Sequence, residues 1–125
     1  MIYAIGHDIV ENKRIKKIYD KYGDTFALRL LTIEEFQIYQ TKPNKILFLA
    51  KRFAAKEAFA KACKTGLRRP VLLRNITILN DEFGRPYFKF ANDLQTWLNE
   101  QNIINYHLSI SDEMHISSAV VILET

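Results

Sequence analysis

The sequence predicts an α+β fold in which helices pack on one side of a mainly antiparallel sheet. Apolar residues recur at three- and four-residue spacing between residues 11 and 64, which is the period of amphipathic helices. Strand patterns lie at residues 2–10 and again after residue 74. A chain of 125 residues holds one core and is too short for two ordinary domains, so we expect a single domain over residues 1–125.

The N-terminal half is predicted to be one strand followed by four helices. The strand covers residues 2–10, and the helices cover residues 11–22, 24–31, 32–40 and 45–64. Thr32 and Glu35 form a capping box for the third helix, Asn44 can cap the fourth, and Gly66 can end it in a left-handed conformation. In the first helix we expect a buried apolar face made of Ile15, Ile18, Tyr19 and Tyr22.

The C-terminal half is predicted to be mostly strand. Four strands are expected, with a polar hairpin loop at residues 80–84 between the first two: residues 74–79, 86–90, 106–111 and 116–123. Asn92 with Gln95 is expected to cap a helix that runs to about Gln101. The β-branched run Val120–Ile122 in the last strand predicts burial on both of its faces.

The charge is distributed unevenly along the chain. The formal net charge is +4, but residues 1–69 carry 15 Lys and Arg against 7 Asp and Glu, whereas residues 70–125 carry 3 against 7. The N-terminal part is therefore at +8 and the rest at −4. Such a basic region attracts phosphates or an acidic protein, and its simpler interpretation is a solvated helical surface.

Several classes of protein are not supported by the sequence. No apolar run approaches the ~20 residues of a membrane span, and the N-terminus has no signal-peptide pattern, so we expect a cytoplasmic protein without a membrane partner. Cys63 is the single cysteine, expected to be a small buried side chain rather than a reactive thiol. The four glycines form no phosphate loop, and the three histidines lack zinc-ligand spacing. Ser109, His7 and Asp112 could be combined into a triad, but no nucleophile motif supports one.

The residue pattern with most chemical content joins the first strand to the fourth helix. Phe53, Glu57 and Lys61 follow one another at four-residue spacing on one helix face, beside small alanines. Asp8 stands near the end of a strand, two residues after Gly6. The simpler interpretation is a surface ion pair between Glu57 and Lys61 and a turn residue at Asp8. If the two carboxylates face each other they need a cation, and Mg²⁺ fits two carboxylates with substrate phosphates.

These motifs resemble those of bacterial holo-(acyl-carrier-protein) synthases, which are phosphopantetheinyl transferases. The resemblance covers nearly the whole chain, and its most specific part is the helical motif. The matching segments, in order, are Gly6–Val10 with Arg14, Arg52–Ala62, Thr65–Gly66, Gly84 with Pro86, and Ser109–Ser111. The implied reaction moves the phosphopantetheine arm of coenzyme A onto a serine of an acyl carrier protein. The implied setting is fatty acid biosynthesis, and the implied assembly is a homotrimer with active sites between subunits.

The resemblance also assigns site residues. It implies that Asp8 and Glu57 are catalytic metal ligands for Mg²⁺ and that Lys61 is a catalytic lysine near phosphate. Coenzyme A is expected to contact the positions Arg52, Phe53, Lys61, Gly66, Pro86 and Ser109. The acyl carrier protein is expected to contact Arg14, together with Lys13 and Lys17. The serine proton could go to a water held by Asp8 at the metal or to Glu57 directly, and the sequence does not choose between them.

One position departs from the family pattern, and two other functions compete with the transferase. Asp112 follows Ser111 where the family usually has histidine, so no role is assigned to Asp112, although His7 or His115 could compensate. A magnesium nuclease also gathers acidic and lysine residues, but its glutamate and lysine usually stand two apart on a strand. A nucleic-acid-binding module would need aromatic residues interleaved with the basic ones as a stacking platform. Tyr19 and Tyr22 are expected to contact the core instead, so we expect no nucleic-acid partner.

Overall fold

The structure is a computed structural model that describes every residue from 1 to 125. The predicted α+β class is confirmed, with five α-helices and five strands. A short 3₁₀ turn at Leu73–Asn75 precedes the second strand. The elements are β1 (Ile2–Glu11), α1 (Asn12–Tyr22), α2 (Asp24–Leu30), α3 (Ile33–Thr41), α4 (Lys45–Ala62), β2 (Ile76–Asn80), β3 (Pro86–Phe90), α5 (Asn92–Glu100), β4 (Asn105–Asp112) and β5 (Ile116–Glu124).

The strands form two separate antiparallel sheets. One has three strands in the order β1-β5-β4, and the other is the β2-β3 hairpin. In the larger sheet Gly6 pairs with Val121, and Asp8 pairs with Ala119. Helix α4 packs across one face of this sheet and contacts all three of its strands. Helices α1, α2 and α3 pack against α4, so these helices gather on one side of the sheet, as the sequence predicts.

Helix α4 forms because its caps and composition both favour it. The Asn44 side chain accepts a hydrogen bond from the Leu47 N–H at 3.0 Å, as predicted. Alanine, the best helix former, fills much of its interior. The helix ends at Ala62, two residues before the predicted end, and Gly66 adopts the predicted left-handed conformation, with a φ of 64°.

Gly6 allows β1 to lie unusually close to α4. A Cβ atom at this position would stand 1.8 Å from the carbonyl oxygen of Ala58, far inside any van der Waals contact. The α4 residues that line this approach are small, since Ala54, Ala58 and Ala62 recur every four residues and are all buried. Because alternate strand residues share a face, Asp8 points to the same side of β1 as Gly6.

The opposite face of the three-stranded sheet is open in a single chain. Ile5 and Ile9 on this face are 59% and 55% exposed, although both are large apolar residues. The prediction that residues 120–122 are buried on both faces is wrong here: Val121 is buried under α4, whereas Val120 is 37% exposed. Only one face has a helical cover, so burial alternates along β5.

Two further local predictions are wrong, and several are confirmed. Of the apolar face predicted for α1, Ile15 is buried and Ile18 and Tyr19 are half-buried, whereas Tyr22, in the last turn, is 53% exposed. Asn92 is not the N-cap, because α5 begins at Asn92 itself and Ala91 is the capping residue. The Ala91 N–H donates to the Asn75 carbonyl. The capping box of α3 is confirmed, with the Thr32 N–H 3.0 Å from the Glu35 carboxylate. Other boundaries differ from prediction by one or two residues, as expected for helix and strand ends.

Candidate active site

Two carboxylates and two cations meet where β1 passes over α4. Asp8 projects from β1, and its side chain is only 16% exposed. Glu57 lies on α4, where burial raises the pKa of its carboxyl group and the charge of Asp8 raises it further. The charges of Lys61 and Arg14 lower the pKa of Glu57, so both cations lie close enough to interact with its carboxylate. Asp8 and Glu57 are thus near enough for their charges to interact, and their role as metal ligands stays a prediction.

Lys61 bonds to Asp8 rather than to Glu57. Its ammonium group donates to the Asp8 carboxylate and to the His7 carbonyl, both at 3.0 Å. The interpretation of Glu57 and Lys61 as a simple helical ion pair is therefore not supported. Because about half of the Lys61 side chain is exposed, its ammonium group can reorient towards a bound anion.

Arg14 links the basic helix to this site. Its guanidinium lies 5.7 Å from the centre of the Phe53 ring, one helical turn before Glu57. Lys13 and Lys17 are exposed on the same helix. Of the residues predicted to bind a carrier protein, Arg14 therefore lies nearest the carboxylates.

The remaining predicted contacts for coenzyme A lie elsewhere in the single chain. Arg52 and Pro86 line a cavity of about 440 Å³ between α4 and the β2-β3 hairpin. At about 100° per residue, Arg52 stands about 140° around α4 from Glu57. Ser109 lies on the open face of the sheet, opposite Val120, and Gly66 is exposed beyond the end of α4. One chain does not bring these residues to the carboxylates.

Sequence reasoning missed part of this cavity. Lys42 and Lys51 line its wall with Arg52, and Asp112 completes the charged set, 3.8 Å from the Lys51 ammonium. The available signal was a cluster of basic residues around the N-terminus of a capped helix, a place that favours anions. Asp112, left without a role from the sequence, therefore partners a lysine at the cavity rim.

The site has the donor set that Mg²⁺ prefers, but not enough of it to bind the ion alone. No group of three or more His, Cys, Asp or Glu side chains could hold a metal ion. Two carboxylates are what Mg²⁺ usually takes from protein when substrate phosphates and water supply the other ligands. The charge of Asp8 raises the cost of ionising Glu57, and a bound cation would offset that cost.

Two alternative interpretations of the sequence receive no support from the geometry. His7 and Ser109 lie on the two strands that flank Val120 of β5. The His7 Nε2 atom lies 3.4 Å from the Ser118 hydroxyl, so no triad with Asp112 forms. Cys63 is buried, and burial raises the pKa of its thiol to about 12. A thiol with this pKa stays protonated, which confirms the prediction of an unreactive side chain.

Known proteins share both the sequence and the fold. The family model described as the 4'-phosphopantetheinyl transferase superfamily matches residues 4–120. The chain belongs to this superfamily. A holo-(acyl-carrier-protein) synthase of Nitrosospira multiformis is 52% identical over 124 residues, which cover 99% of each chain. The crystal structure of the Neisseria meningitidis holo-(acyl-carrier-protein) synthase superposes with a TM-score of 0.97 at 48% identity, with 100% of both chains covered.

A third relative was solved with a ligand. The holo-(acyl-carrier-protein) synthase of Bacillus anthracis, in complex with coenzyme A (3',5'-ADP), has a TM-score of 0.84 at 36% identity, and 100% of this chain and 98% of that one are covered. Phosphopantetheinyl transferases of this type transfer 4'-phosphopantetheine from coenzyme A to a serine of apo-acyl carrier protein, and this is the reaction of the chain. The transferase is thus selected over the nuclease and the nucleic-acid-binding module. No helix has the length and apolarity to cross a membrane.

Glu57→Gln is expected to raise the melting temperature of the metal-free protein at pH 7. A carboxyl whose pKa is raised on folding removes stability as pH rises through the window between its ordinary and its raised pKa, and the neutral amide escapes that loss. Adding Mg²⁺ and coenzyme A should then stabilise the wild type more than the variant. Differential scanning calorimetry measures both effects.

The matched control is Glu34→Gln, at an exposed glutamate paired with Lys89. It should leave the response to Mg²⁺ unchanged. A Glu57→Gln protein that melts below the wild type at pH 7 would contradict the raised pKa of Glu57, and one that responds equally to Mg²⁺ would contradict its predicted role as a metal ligand.

Proposed function

We propose that Asp8 and Glu57 hold Mg²⁺ at the pyrophosphate of coenzyme A while the carrier-protein serine attacks the β-phosphate. A new P–O bond forms to the serine oxygen, and the bond to 3',5'-ADP breaks, with the electron pair leaving on the ADP phosphate. The serine proton passes to a water held by Asp8 or directly to the Glu57 carboxylate. Bound magnesium would act as a Lewis acid on the pyrophosphate. Lys61 is placed to offset negative charge on the same phosphates, since its ammonium group already lies at the Asp8 carboxylate. The observation that carries the proposal is this convergence of Asp8, Glu57 and Lys61.

The basic cavity between α4 and the hairpin is proposed to receive the nucleotide part of coenzyme A. Arg52 with Lys42 and Lys51 gives it three cations against the single carboxylate of Asp112. Pro86 offers an apolar wall for an adenine ring. The complex of the Bacillus anthracis relative supports coenzyme A as the ligand. Phe53, Lys61 and Gly66 are proposed to meet the part of the substrate nearer the carboxylates, and Ser109 to approach it from the sheet.

A homotrimer is proposed for two reasons. One chain does not bring the proposed coenzyme A contacts together, and it leaves one face of the three-stranded sheet uncovered. Arg52 and Glu57 point to different sides of α4. One coenzyme A molecule could contact the cavity around Arg52 of one subunit and the carboxylate of Glu57 of a neighbouring subunit. The open sheet face, with Ile5, Ile9 and Val120, supplies an apolar surface for a second copy. A rotational assembly of three chains would repeat this contact and close on itself.

The proposed partner is an acidic acyl carrier protein, in the cytoplasm and in fatty acid biosynthesis. Lys13, Arg14 and Lys17 present positive charge on α1, and the charge of Arg14 acts on Glu57, where the serine must arrive. Intact-mass spectrometry of apo-acyl carrier protein with coenzyme A, Mg²⁺ and the purified protein tests the whole reaction. Addition of one phosphopantetheine mass, together with release of 3',5'-ADP, supports it. An unchanged carrier mass would contradict it.

Arg14→Glu is expected to raise the Michaelis constant for carrier protein about tenfold or more and to leave that for coenzyme A nearly unchanged. The variant reverses charge at the edge of the site, so its rate should also fall less steeply with added salt than that of the wild type. Initial rates at varied carrier protein, coenzyme A and NaCl measure these effects.

Lys89→Glu provides a matched charge reversal on the β2-β3 hairpin. Lys89 makes only an exposed ion pair with Glu34, so both Michaelis constants should stay near their wild-type values. If Arg14→Glu changes the constant for coenzyme A instead, α1 faces the nucleotide and the carrier-protein surface lies elsewhere. If it changes neither constant, the basic helix is only a solvated surface.

A further inference from the structure

A buried ionic cluster stands directly behind the basic cavity. Its centre is Glu35, on α3, whose side chain is completely buried. One carboxylate oxygen accepts a hydrogen bond from the Lys56 ammonium at 2.6 Å, and the other accepts from the Ile78 N–H at 3.1 Å. The second oxygen also lies 3.1 Å from Nε of Arg52. A buried carboxylate with this many partners is held in one position.

Lys56 has no donor left for any other purpose. Its ammonium group also donates to the carbonyls of Leu30 and Leu73, at 2.8 and 3.0 Å, and the residue is fully buried. Burial lowers the pKa of Lys56 to about 8, and the charge of Glu35 opposes that shift. The ammonium group has three acceptors and only the protonated form has three donors for them, so Lys56 carries a charge that balances that of Glu35.

Arg52 is held differently, because only one edge of its guanidinium faces the cluster. The residue is 4% exposed, and its guanidinium carbon lies 4.5 Å from the centre of the Phe48 ring. Nε approaches Glu35 without an aligned hydrogen bond, and no protein group accepts from the terminal nitrogens. Arg52 lines the cavity, so these nitrogens are free for an anion there.

The charges of the cluster do not cancel. Glu35 contributes one negative charge, and Lys56 and Arg52 contribute two positive ones, so one positive charge is left over. Lys56 is enclosed, whereas Arg52 reaches the cavity wall, and the excess charge is therefore presented by Arg52. We propose that Glu35 is a positioning residue that fixes the Arg52 guanidinium towards an anionic group of coenzyme A, while Lys56 keeps Glu35 from neutralising it. This inference rests on the proposed nucleotide cavity.

The test measures binding of 3',5'-ADP at pH 7 by titration calorimetry in four proteins: wild type, Glu35→Gln, Arg52→Ala and the double variant. Glu35→Gln is expected to weaken binding about tenfold and to raise the Michaelis constant for coenzyme A similarly, with kcat within about twofold. In the Arg52→Ala background, the same substitution should change the dissociation constant less than about twofold, because the residue it positions is gone.

Tyr39→Phe is the matched structural control on the same helix. It removes the hydrogen bond from the Tyr39 hydroxyl to Asp24, at 2.7 Å, and should lower the melting temperature. The dissociation constant for 3',5'-ADP and the Michaelis constant for coenzyme A should not change. Calorimetric stoichiometry reports the folded fraction separately from affinity. If Glu35→Gln yields no folded protein, Glu35→Asp keeps the charge but shortens the side chain, and it should weaken binding in an Arg52-dependent way.

Three results would overturn the inference. Unchanged 3',5'-ADP binding in the folded Glu35 variant is one, and an equal loss with and without Arg52 is another. Failure of the wild-type protein to bind 3',5'-ADP is the third, and it would contradict the cavity assignment as well. The first two leave that assignment intact, so the failure of Glu35 as a positioning residue is distinguishable from the failure of the proposed site.

Discussion

Asp8→Ala and Glu57→Ala are each expected to reduce the rate of phosphopantetheine transfer by about a thousandfold or more, with the fold preserved. Each removes one of the two carboxylates available to Mg²⁺, and a metal that neutralises a pyrophosphate contributes several kcal/mol to transition-state stabilisation. At about 1.4 kcal/mol per factor of ten, that contribution corresponds to such a loss. The measurement is the initial rate as a function of Mg²⁺ concentration, with circular dichroism to confirm folding.

Two comparisons make this prediction specific to the metal. Lys61→Ala should lower turnover but leave a measurable remnant, because the lysine stands beside the carboxylates and does not replace them. Glu34→Ala removes an exposed carboxylate paired with Lys89 and should have no effect on rate. Near-normal turnover of Glu57→Ala at limiting Mg²⁺ would show that the metal assignment is wrong.

Gly6→Ala is expected to destabilise the protein by about 3 kcal/mol or more, which is exceptional for one methyl group. The added carbon would stand 1.8 Å from the Ala58 carbonyl oxygen, so β1 has to move away from α4. Such a movement separates Asp8 from Glu57, and the protein that still folds should also lose transfer activity. Urea unfolding measures the first effect and the carrier-protein assay the second.

Gly84→Ala is the matched control in the β2-β3 loop. A Cβ atom there meets nothing within 4 Å, and the only cost is its φ of 80°. That left-handed conformation costs about 1–2 kcal/mol for a residue with a side chain. A Gly6→Ala protein no less stable than Gly84→Ala would disprove the close contact between strand and helix.

The elements of the fold could be predicted from local sequence because local physics determines them. The alanine-rich segment with Asn44 before it predicts α4, and the Thr32–Glu35 capping box predicts α3. The errors concern tertiary surroundings. Whether Tyr22 or Val120 is buried depends on what packs against it, and the period of a pattern does not carry that information.

The candidate site was predictable in part for the same reason. Asp8 and Glu57 could be paired from their motifs. The reason they come close is that Gly6 packs directly against the alanines of α4, and only the three-dimensional structure reveals that contact. Glu35 was interpreted only as a capping residue. Its bonds to Lys56 and Ile78 connect segments more than 20 residues apart, which local patterns do not reveal.

The central claim is that transfer takes place between the carboxylates of one subunit and the basic cavity of another. It is tested by co-expressing Glu57→Ala and Arg52→Ala chains with different tags and purifying the mixed assemblies. Each variant alone should be inactive at limiting coenzyme A. With random mixing, about a quarter of the sites combine an intact Glu57 with an intact Arg52 from the neighbouring chain. Carrier-protein mass spectrometry should then detect transfer at up to about a quarter of the wild-type rate. A mixed assembly as inactive as its parents would contradict the claim.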